Sequence, residues 1–178
     1  GMVGFGAIGQ RIAGMIKDFP VSIQFYDPYI SSYNASYKKT SLEDIFETSD
    51  IVSVHLPANK ETENMIDHTL LSKMKSNAIF VNTSRAMVVN RDDLLPVLEN
   101  KRIKGAILDV FDHEPPDKTD YKIIHLPNVL ATPHIAGATF EVEDHHAEIM
   151  NRNILNWYVK HNGNASFVAD IHDIAKTI

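Results

Sequence analysis

Short apolar runs alternate along the chain with stretches in which apolar residues recur at helical spacing. Most of these runs are nearly continuous rather than alternating with polar residues, which is typical of strands buried on both faces. The predicted strands are residues 2–3, 21–26, 50–57, 78–81, 105–111 and 129–131. Because helical segments separate them, the pattern predicts an α/β fold in which helices cover both faces of a parallel sheet.

Capping residues indicate where several of the helices begin. The candidate N-caps are Ser41, Asp67, Asn90 and Thr139. Each has a side-chain oxygen that can accept a hydrogen bond from the first turn of the helix after it. Pro96 lies inside the helical segment that follows Asn90, where it removes one backbone donor, and we expect a kink there.

The segment after Thr139 predicts a long helix with one apolar face. This face consists of Val142, Ile149, Ile154 and Trp157. Turn-forming residues at 161–164 end the helix, and apolar residues at helical spacing return between Phe167 and Ile178. We therefore divide the chain into a principal domain, residues 1–161, and an amphipathic tail, residues 162–178, which needs a surface to cover.

Three glycines follow the first predicted strand. Gly4, Gly6 and Gly9 have the spacing at which a dinucleotide-binding unit makes a tight turn, admits a pyrophosphate and packs its first helix closely. Asp27 lies eighteen residues beyond Gly9, where a carboxylate can accept both ribose hydroxyls and would repel a 2′-phosphate. The alternative is an aspartate that closes a strand before proline. The order of these features predicts a Rossmann-type, doubly wound domain that binds NAD in preference to NADP.

The composition narrows the class of partner. The chain has 178 residues, of which 44% are hydrophobic and 22% charged, as expected for one globular domain. A net charge of −6 argues against nucleic acid or an anionic membrane surface, and no apolar run approaches the ~18 residues of a membrane span. Cysteine is absent, which fits a reducing compartment, so we expect a cytoplasmic protein that binds a small molecule. His145 and His146 lack a second well-spaced ligand pair, so we predict no metal site.

Arg85, Glu114 and His134 all follow predicted strands, at the sheet edge where the glycine turn lies. Each has a structural alternative: the arginine could pair with a carboxylate, the glutamate could belong to a turn, and the histidine could be a solvated loop residue. Together they supply the groups that oxidation of a 2-hydroxy acid by NAD requires. The histidine accepts the hydroxyl proton, the carboxylate orients its ring, and the guanidinium binds the substrate carboxylate.

Several motifs also occur in a fixed order between Gly4 and Trp157. They are the glycine turn, Tyr26-Asp27-Pro28-Tyr29, His55-Leu56-Pro57, Asn82-Thr83-Ser84-Arg85, Leu108-Asp109-Val110-Phe111, Glu114-Pro115 and Thr132-Pro133-His134-Ile135-Ala136-Gly137-Ala138-Thr139. In these motifs the chain closely resembles the cofactor domain of the D-isomer-specific 2-hydroxyacid dehydrogenases, which include phosphoglycerate dehydrogenase.

The resemblance implies a role for each motif residue. Arg85, Glu114 and His134 correspond to the family's catalytic arginine, glutamate and histidine. The implied cofactor-binding residues are Gly4, Gly6, Ala7, Ile8, Gly9, Asp27, Pro57, Thr83, Asp109 and His134. Asp109 lies near the nicotinamide carboxamide in this scheme, the cofactor is NAD, and the substrate is a 2-hydroxy or 2-keto acid. Glu114 argues against the formate dehydrogenase branch, which carries glutamine there.

The chain also departs from the family pattern. Ala7 stands where an arginine often contacts a phosphate, and Met87 stands where a small residue is usual. The family's substrate domain comes largely from residues before the glycine turn, so we expect it to be largely absent here. Gly1 is either a tag remnant before an initiating methionine or the glycine that many family members carry, in a fragment of a longer enzyme. The first strand lies at the centre of the family's sheet.

Two functions follow. The chain is the NAD-binding, catalytic part of a D-2-hydroxyacid dehydrogenase, inactive alone for want of the substrate domain, or it is a non-catalytic NAD-binding or protein-interaction module, like the family's corepressor branch. The intact set of three polar residues favours the first, whereas the missing domain favours the second. The family usually dimerises through its cofactor domains, so we expect a homodimer that pairs through the helix after Thr139.

Overall fold

The computed structural model describes residues 1–31, 33 and 36–162 of the chain. Its strands are β1 (Met2–Val3), β2 (Gln24–Tyr26), β3 (Lys38–Lys39), β4 (Ile51–Val54), β5 (Ile79–Asn82), β6 (Gly105–Leu108) and β7 (Val129–Ala131). Its helices are α1 (Ala7–Ile16), α2 (Leu42–Thr48), α3 (His68–Leu71), α4 (Arg91–Glu99), α5 (Lys118–Ile124) and α6 (Phe140–Asn162), with a 3-10 helix at Ala86–Val88. The strands form one parallel sheet in the order β3-β2-β1-β4-β5-β6-β7, which confirms the predicted α/β class.

β1 has a neighbouring strand on each side, as predicted for the first strand. Met2 pairs with Phe25 of β2 on one side and with Ser53 of β4 on the other. Successive side chains of a strand point to opposite faces of the sheet. Met2 accordingly belongs to one buried cluster and Val3 to another, so both faces of the sheet are covered.

The two clusters use different helices. The smaller cluster joins Ala13 of α1 to Phe5 and Phe25, whose rings stack with centroids 4.1 Å apart. The larger cluster joins the remaining sheet face to α2, α3, α4 and α5; its helical members include Phe46, Leu71, Leu98 and Ile123. Burial of these apolar side chains is the main source of stability, at about 1.5–3 kcal/mol for each large side chain.

The predicted caps lie where three of the helices begin. The Ser41 hydroxyl accepts a hydrogen bond from the Asp44 N–H, and the Asp67 carboxylate accepts one from the Leu70 N–H. Asn90 accepts hydrogen bonds from two N–H groups in the first turn of α4. α6 begins directly after the fourth predicted cap, Thr139. α4 continues past Pro96, and the kink there stays a prediction.

Three elements were not predicted from the pattern. β3 consists of two exposed lysines at the edge of the sheet, and it has no apolar run that would indicate a strand. α5 follows two prolines and is too short to display a helical period; its start is fixed by a capping box between Asp117 and Asp120. The 3-10 helix is shorter still.

Several strands are shorter than predicted. The predicted strand 50–57 reduces to four residues, and 105–111 also reduces to four. Leu56 and Val110 remain buried although they lie beyond the strand ends. Buried loop residues and strand residues have the same hydrophobicity, so an apolar run alone does not reveal where strand pairing stops.

The chain divides into two compact units, Gly1–His134 and Ile135–Ile178. In the second unit, α6 exposes much of its predicted apolar face, including Ile149, Ile154 and Trp157. From residue 163 onward the predicted tail lies outside the described residues, and the boundary at residue 161 stays a prediction. Within the described part of the chain, no helix is both long and apolar enough to cross a membrane.

Gly9→Ala tests the packing of α1 against the glycine turn. A Cβ at Gly9 would lie 2.7 Å from the carbonyl oxygen of Gly4, whereas a Cβ at Gly14 in the same helix would meet nothing within 4 Å. We expect Gly9→Ala to lower the free energy of unfolding by about 1–3 kcal/mol. Gly14→Ala is the matched control, and we expect it to raise that free energy by about 0.5–1 kcal/mol. Urea denaturation measures both; equal stabilisation by the two substitutions would contradict the close approach.

Candidate functional site

The glycine turn leaves an open surface at the start of α1. Gly4 has a φ of 87°, a left-handed conformation that favours glycine, and its N–H donates to the Tyr26 carbonyl at 2.8 Å. Gly6 precedes α1 with no side-chain cap, and a Cβ there would meet nothing within 4 Å. Gly6, Ala7 and Ile8 are exposed, whereas Gly4 and Gly9 are buried. The first N–H groups of α1 therefore face an accessible space, which is the environment that a pyrophosphate requires.

Asp27 connects the end of β2 to this turn. Its side chain lies in a residue that is only 8% exposed, and Oδ2 accepts a hydrogen bond from the Phe5 N–H at 2.8 Å. Oδ1 accepts hydrogen bonds from the N–H groups of Tyr29 and Ile30, at 2.9 and 3.2 Å. A carboxylate has about four acceptor positions, and three are used here. Asp27 thus has a structural role, and acceptance of both ribose hydroxyls would require one of these bonds to be given up.

The loops after β2 and β4 meet over the same edge. The Tyr29 hydroxyl donates to Glu61 Oε2 at 3.1 Å, a bond that raises the pKa of Tyr29. The Pro57 carbonyl accepts a hydrogen bond from the Thr62 hydroxyl at 2.6 Å, which fixes the start of the second loop. His55 lies just before Pro57, and burial lowers its pKa below the ordinary value. A neutral ring at His55 adds no positive charge to this part of the site.

Arg85 follows β5 and is exposed. The Asn82 side chain orders the intervening turn: its oxygen accepts hydrogen bonds from Ser84, and its Nδ2 donates to the Arg85 carbonyl at 3.0 Å. The guanidinium of Arg85 donates to the Ser84 carbonyl at 2.7 Å. Among the described residues no carboxylate lies within ion-pair distance of Arg85, so its charge is available to an anionic ligand.

Glu114 and His134 form a hydrogen-bonded pair. The Nδ1 atom of His134 lies 2.8 Å from Oε1 and 3.0 Å from Oε2 of Glu114, and both side chains are about half exposed. A carboxylate at Nδ1 leaves Nε2 as the ring atom that can exchange a proton with a ligand. His134 has a φ of 54°, which is unusual for a residue other than glycine and is common among residues of functional sites.

Asp109 lies beneath this pair, at the end of β6. It is 2% exposed, and its carboxylate accepts a short hydrogen bond from the Thr132 hydroxyl. The Asp109 N–H donates to the Asn82 carbonyl at 3.0 Å, and the Thr132 N–H donates to the Leu108 carbonyl at 2.9 Å. These bonds connect the carboxyl ends of β5, β6 and the segment that carries His134.

The structure thus brings Glu114 and His134 into contact and Asp27 into contact with the glycine turn. Within the described residues, no hydrogen bond or ion pair connects Arg85 to the Glu114–His134 pair. All the sequence-predicted residues still belong to the carboxyl ends of strands or the loops after them. In a parallel sheet these ends share one edge, which is where ligands bind.

A cluster around Arg91 was not predicted from the sequence. Arg91 lies within 3.2 Å of Asp112, Asp117 and Asp120. Burial opposes the charge of Arg91, but hydrogen bonds to Asp120 and Asp117 outweigh it and raise the pKa of Arg91. The N–H groups of Asp120 and Thr119 contribute to lowering the pKa of Asp117 to about 2. The only sequence signal is a high density of acidic residues after β6.

Comparison with known proteins identifies the family. The D-isomer specific 2-hydroxyacid dehydrogenase, NAD binding domain, matches residues 1–136. The chain therefore belongs to the D-isomer specific 2-hydroxyacid dehydrogenases, and the domain is an NAD-binding domain.

Individual relatives agree with this assignment. The chain is 60% identical over 157 residues to the putative 2-hydroxyacid dehydrogenase YoaD of Bacillus subtilis, covering 88% of this chain and 46% of that protein. It is 40% identical over 160 residues to the glyoxylate reductase of Pyrococcus furiosus, covering 87% and 46%. The NAD-complexed D-isomer specific 2-hydroxyacid dehydrogenase of Lactobacillus delbrueckii superposes with a TM-score of 0.78 at 26% identity, covering 93% and 54%. The chain thus spans about half the length of the relatives it matches.

Proposed function

We propose that the chain carries the cofactor site and the acid–base pair of an NAD-dependent oxidoreductase that acts on the CH–OH group of a D-2-hydroxy acid. The observation that carries this proposal is the contact between Glu114 and His134 at the sheet edge where the glycine turn opens. A histidine with a carboxylate on one ring nitrogen and a free second nitrogen is suited to proton exchange with a hydroxyl or carbonyl oxygen.

Each of the three polar residues has a separate task. His134 removes the hydroxyl proton through Nε2 during oxidation and returns it during reduction. Glu114 fixes the orientation of the ring through Nδ1 and compensates the positive charge that the ring carries after it takes the proton. Arg85 binds the substrate carboxylate, because its exposed guanidinium has no ion-pair partner among the described residues. Bound NAD supplies the hydride acceptor for C2 of the substrate.

The residues around the glycine turn suit the cofactor. In this proposal the exposed start of α1, at Gly6, Ala7 and Ile8, receives the pyrophosphate. Gly4 and Gly9 contribute through the shape of the turn, and Asp27 lies toward the adenosine ribose. Pro57, Thr83 and Asp109 follow neighbouring strands and complete the cofactor site, with Asp109 toward the nicotinamide.

We propose that this chain alone binds NAD and turns over little or no substrate. The support is that it matches only about half the length of its relatives, so part of the substrate site of such proteins has no counterpart in it. The competing proposal is a non-catalytic NAD-binding or interaction module. The exposed apolar side chains of α6 support pairing of two copies through that helix.

Gly6→Ala tests the cofactor site directly. The substituted Cβ would meet nothing within 4 Å, and the φ of Gly6 is −71°, so we expect the free energy of unfolding to change by less than about 0.5 kcal/mol. The Cβ would nevertheless occupy the space through which a pyrophosphate approaches the backbone. We expect NADH affinity, measured by fluorescence titration, to fall at least about tenfold. Gly14→Ala is the control; equal affinity in the two variants would place the cofactor elsewhere.

His134→Gln tests the acid–base pair. The assay compares turnover of glyoxylate, hydroxypyruvate and 3-phosphoglycerate with NADH binding, first in the 178-residue chain and then in a longer form that is active. We expect turnover in the active form to fall by about 10²–10⁴-fold, because glutamine cannot transfer the proton. NADH affinity stays nearly unchanged. Full turnover by the variant would rule out the assigned role, and turnover by the unmodified chain would rule out its dependence on a missing half.

A further inference from the structure

We propose that Arg91 is a positioning residue that holds the loop bearing Glu114 so that its carboxylate meets His134. The inference rests on the proposed function of the Glu114–His134 pair and adds a residue that lies outside it. Arg91 is the first residue of α4, and Glu114 lies in the loop of residues 109–117 between β6 and α5. The argument depends on how the guanidinium connects the helix to that loop.

The loop has little to hold Glu114 in place by itself. The Glu114 side chain is 49% exposed, and the hydrogen bond to His134 is between two surface groups. Exposed ion pairs contribute about 0–1 kcal/mol, which is too little to order a loop. The position of Glu114 must therefore be set by the residues on either side of it.

Arg91 contacts the loop on both sides of Glu114. Its Nε lies 3.2 Å from Oδ2 of Asp112, two residues before Glu114, although the atoms are not aligned as a hydrogen bond. Its Nη1 donates to Oδ1 of Asp117, three residues after Glu114, at 3.1 Å. One guanidinium thus holds both ends of the short segment that presents the catalytic carboxylate.

Asp120 strengthens this arrangement from below. Its side chain is 1% exposed, and Oδ1 accepts a hydrogen bond from Arg91 at 3.0 Å. Oδ2 accepts hydrogen bonds from the backbone N–H groups of His113 and Asp117, at 3.3 and 3.0 Å. A buried carboxylate needs a compensating charge, and Arg91 provides it. The backbone directly before and shortly after Glu114 is therefore fixed to a buried ion pair.

α4 provides a rigid base for the guanidinium. The Asn90 side chain caps its first turn, and Leu94, Val97 and Leu98 anchor the helix in the larger core. The Arg91 side chain is 21% exposed, so most of it is held by packing. The positions of the loop and of the helix are thereby coupled through one side chain.

A metal ion is a weaker explanation of the same cluster. Potential ligand atoms of His113, Asp117 and Asp120 lie within 4.8 Å of one another. Arg91 already donates hydrogen bonds to two of these three residues, so the cluster has a cation of its own. The geometry is that of a structural anchor.

The test measures the ring nitrogens of His134 by ¹⁵N NMR in the full 178-residue chain, with NADH binding as a second readout. Nitrogen chemical shifts report which ring nitrogen carries the proton, and a carboxylate at Nδ1 favours the proton on that atom. His134→Gln assigns the signals among the nine histidines. Glu114→Gln defines the signals of a ring without its carboxylate.

We expect the His134 signals of Arg91→Met to move to those of Glu114→Gln, whereas Arg91→Lys gives an intermediate position because it retains the charge without the planar fork. Asp112→Asn removes one contact at a partly exposed position, and we expect a partial shift with the fold retained. Lys75→Met is the control, because it breaks the exposed Lys75–Asp50 pair at the opposite ends of the strands and should leave the signals unchanged.

Unchanged His134 signals in the folded Arg91 variants would overturn the proposal. If Arg91→Met does not fold, unchanged signals in both Arg91→Lys and Asp112→Asn overturn it equally. The proposed function fails in a different way. If the signals shift as expected but His134→Gln retains turnover in an active form, the positioning role stands and the catalytic role of the pair is wrong.

Discussion

Parallel pairing of β1 with a strand on each side is the constraint on which the rest of the structure depends. Because β2 and β4 run in the same direction as β1, the three strands end at one edge, and the glycine turn begins there. The Gly4 N–H and the Phe5 N–H then bond to Tyr26 and Asp27 at the end of β2. The open start of α1 is a direct consequence of where this central strand stops.

Buried aspartates hold the loops at that edge. Asp27, Asp109 and Asp120 are each less than 9% exposed, and each accepts hydrogen bonds from a loop or strand that carries site residues. A buried carboxylate is costly unless it is fully bonded, so these groups specify one arrangement of the loops around them. The site is thereby supported by groups that lie beneath the residues proposed to contact the cofactor and the substrate.

The sequence pattern predicts the α/β class, the central first strand and the contact between Glu114 and His134, because these follow from apolar runs and from strand ends that share an edge. It does not reveal β3, whose two lysines carry no apolar signal, or α5, which is too short to show a period. The contacts of Arg91 join residues more than twenty positions apart, and no local spacing indicates such a pairing. The three backbone bonds of Asp27 were also hidden, because its position at a strand end fits both a ribose ligand and a turn.

The most direct measurement is a crystal structure of this chain with bound NAD. The account predicts the pyrophosphate against the backbone N–H groups of Gly6, Ala7 and Ile8, with the nicotinamide end toward Asp109 and the Glu114–His134 pair. NAD bound at another surface, or bound with its nicotinamide directed away from that pair, would contradict the assignment of this edge as a hydride-transfer site.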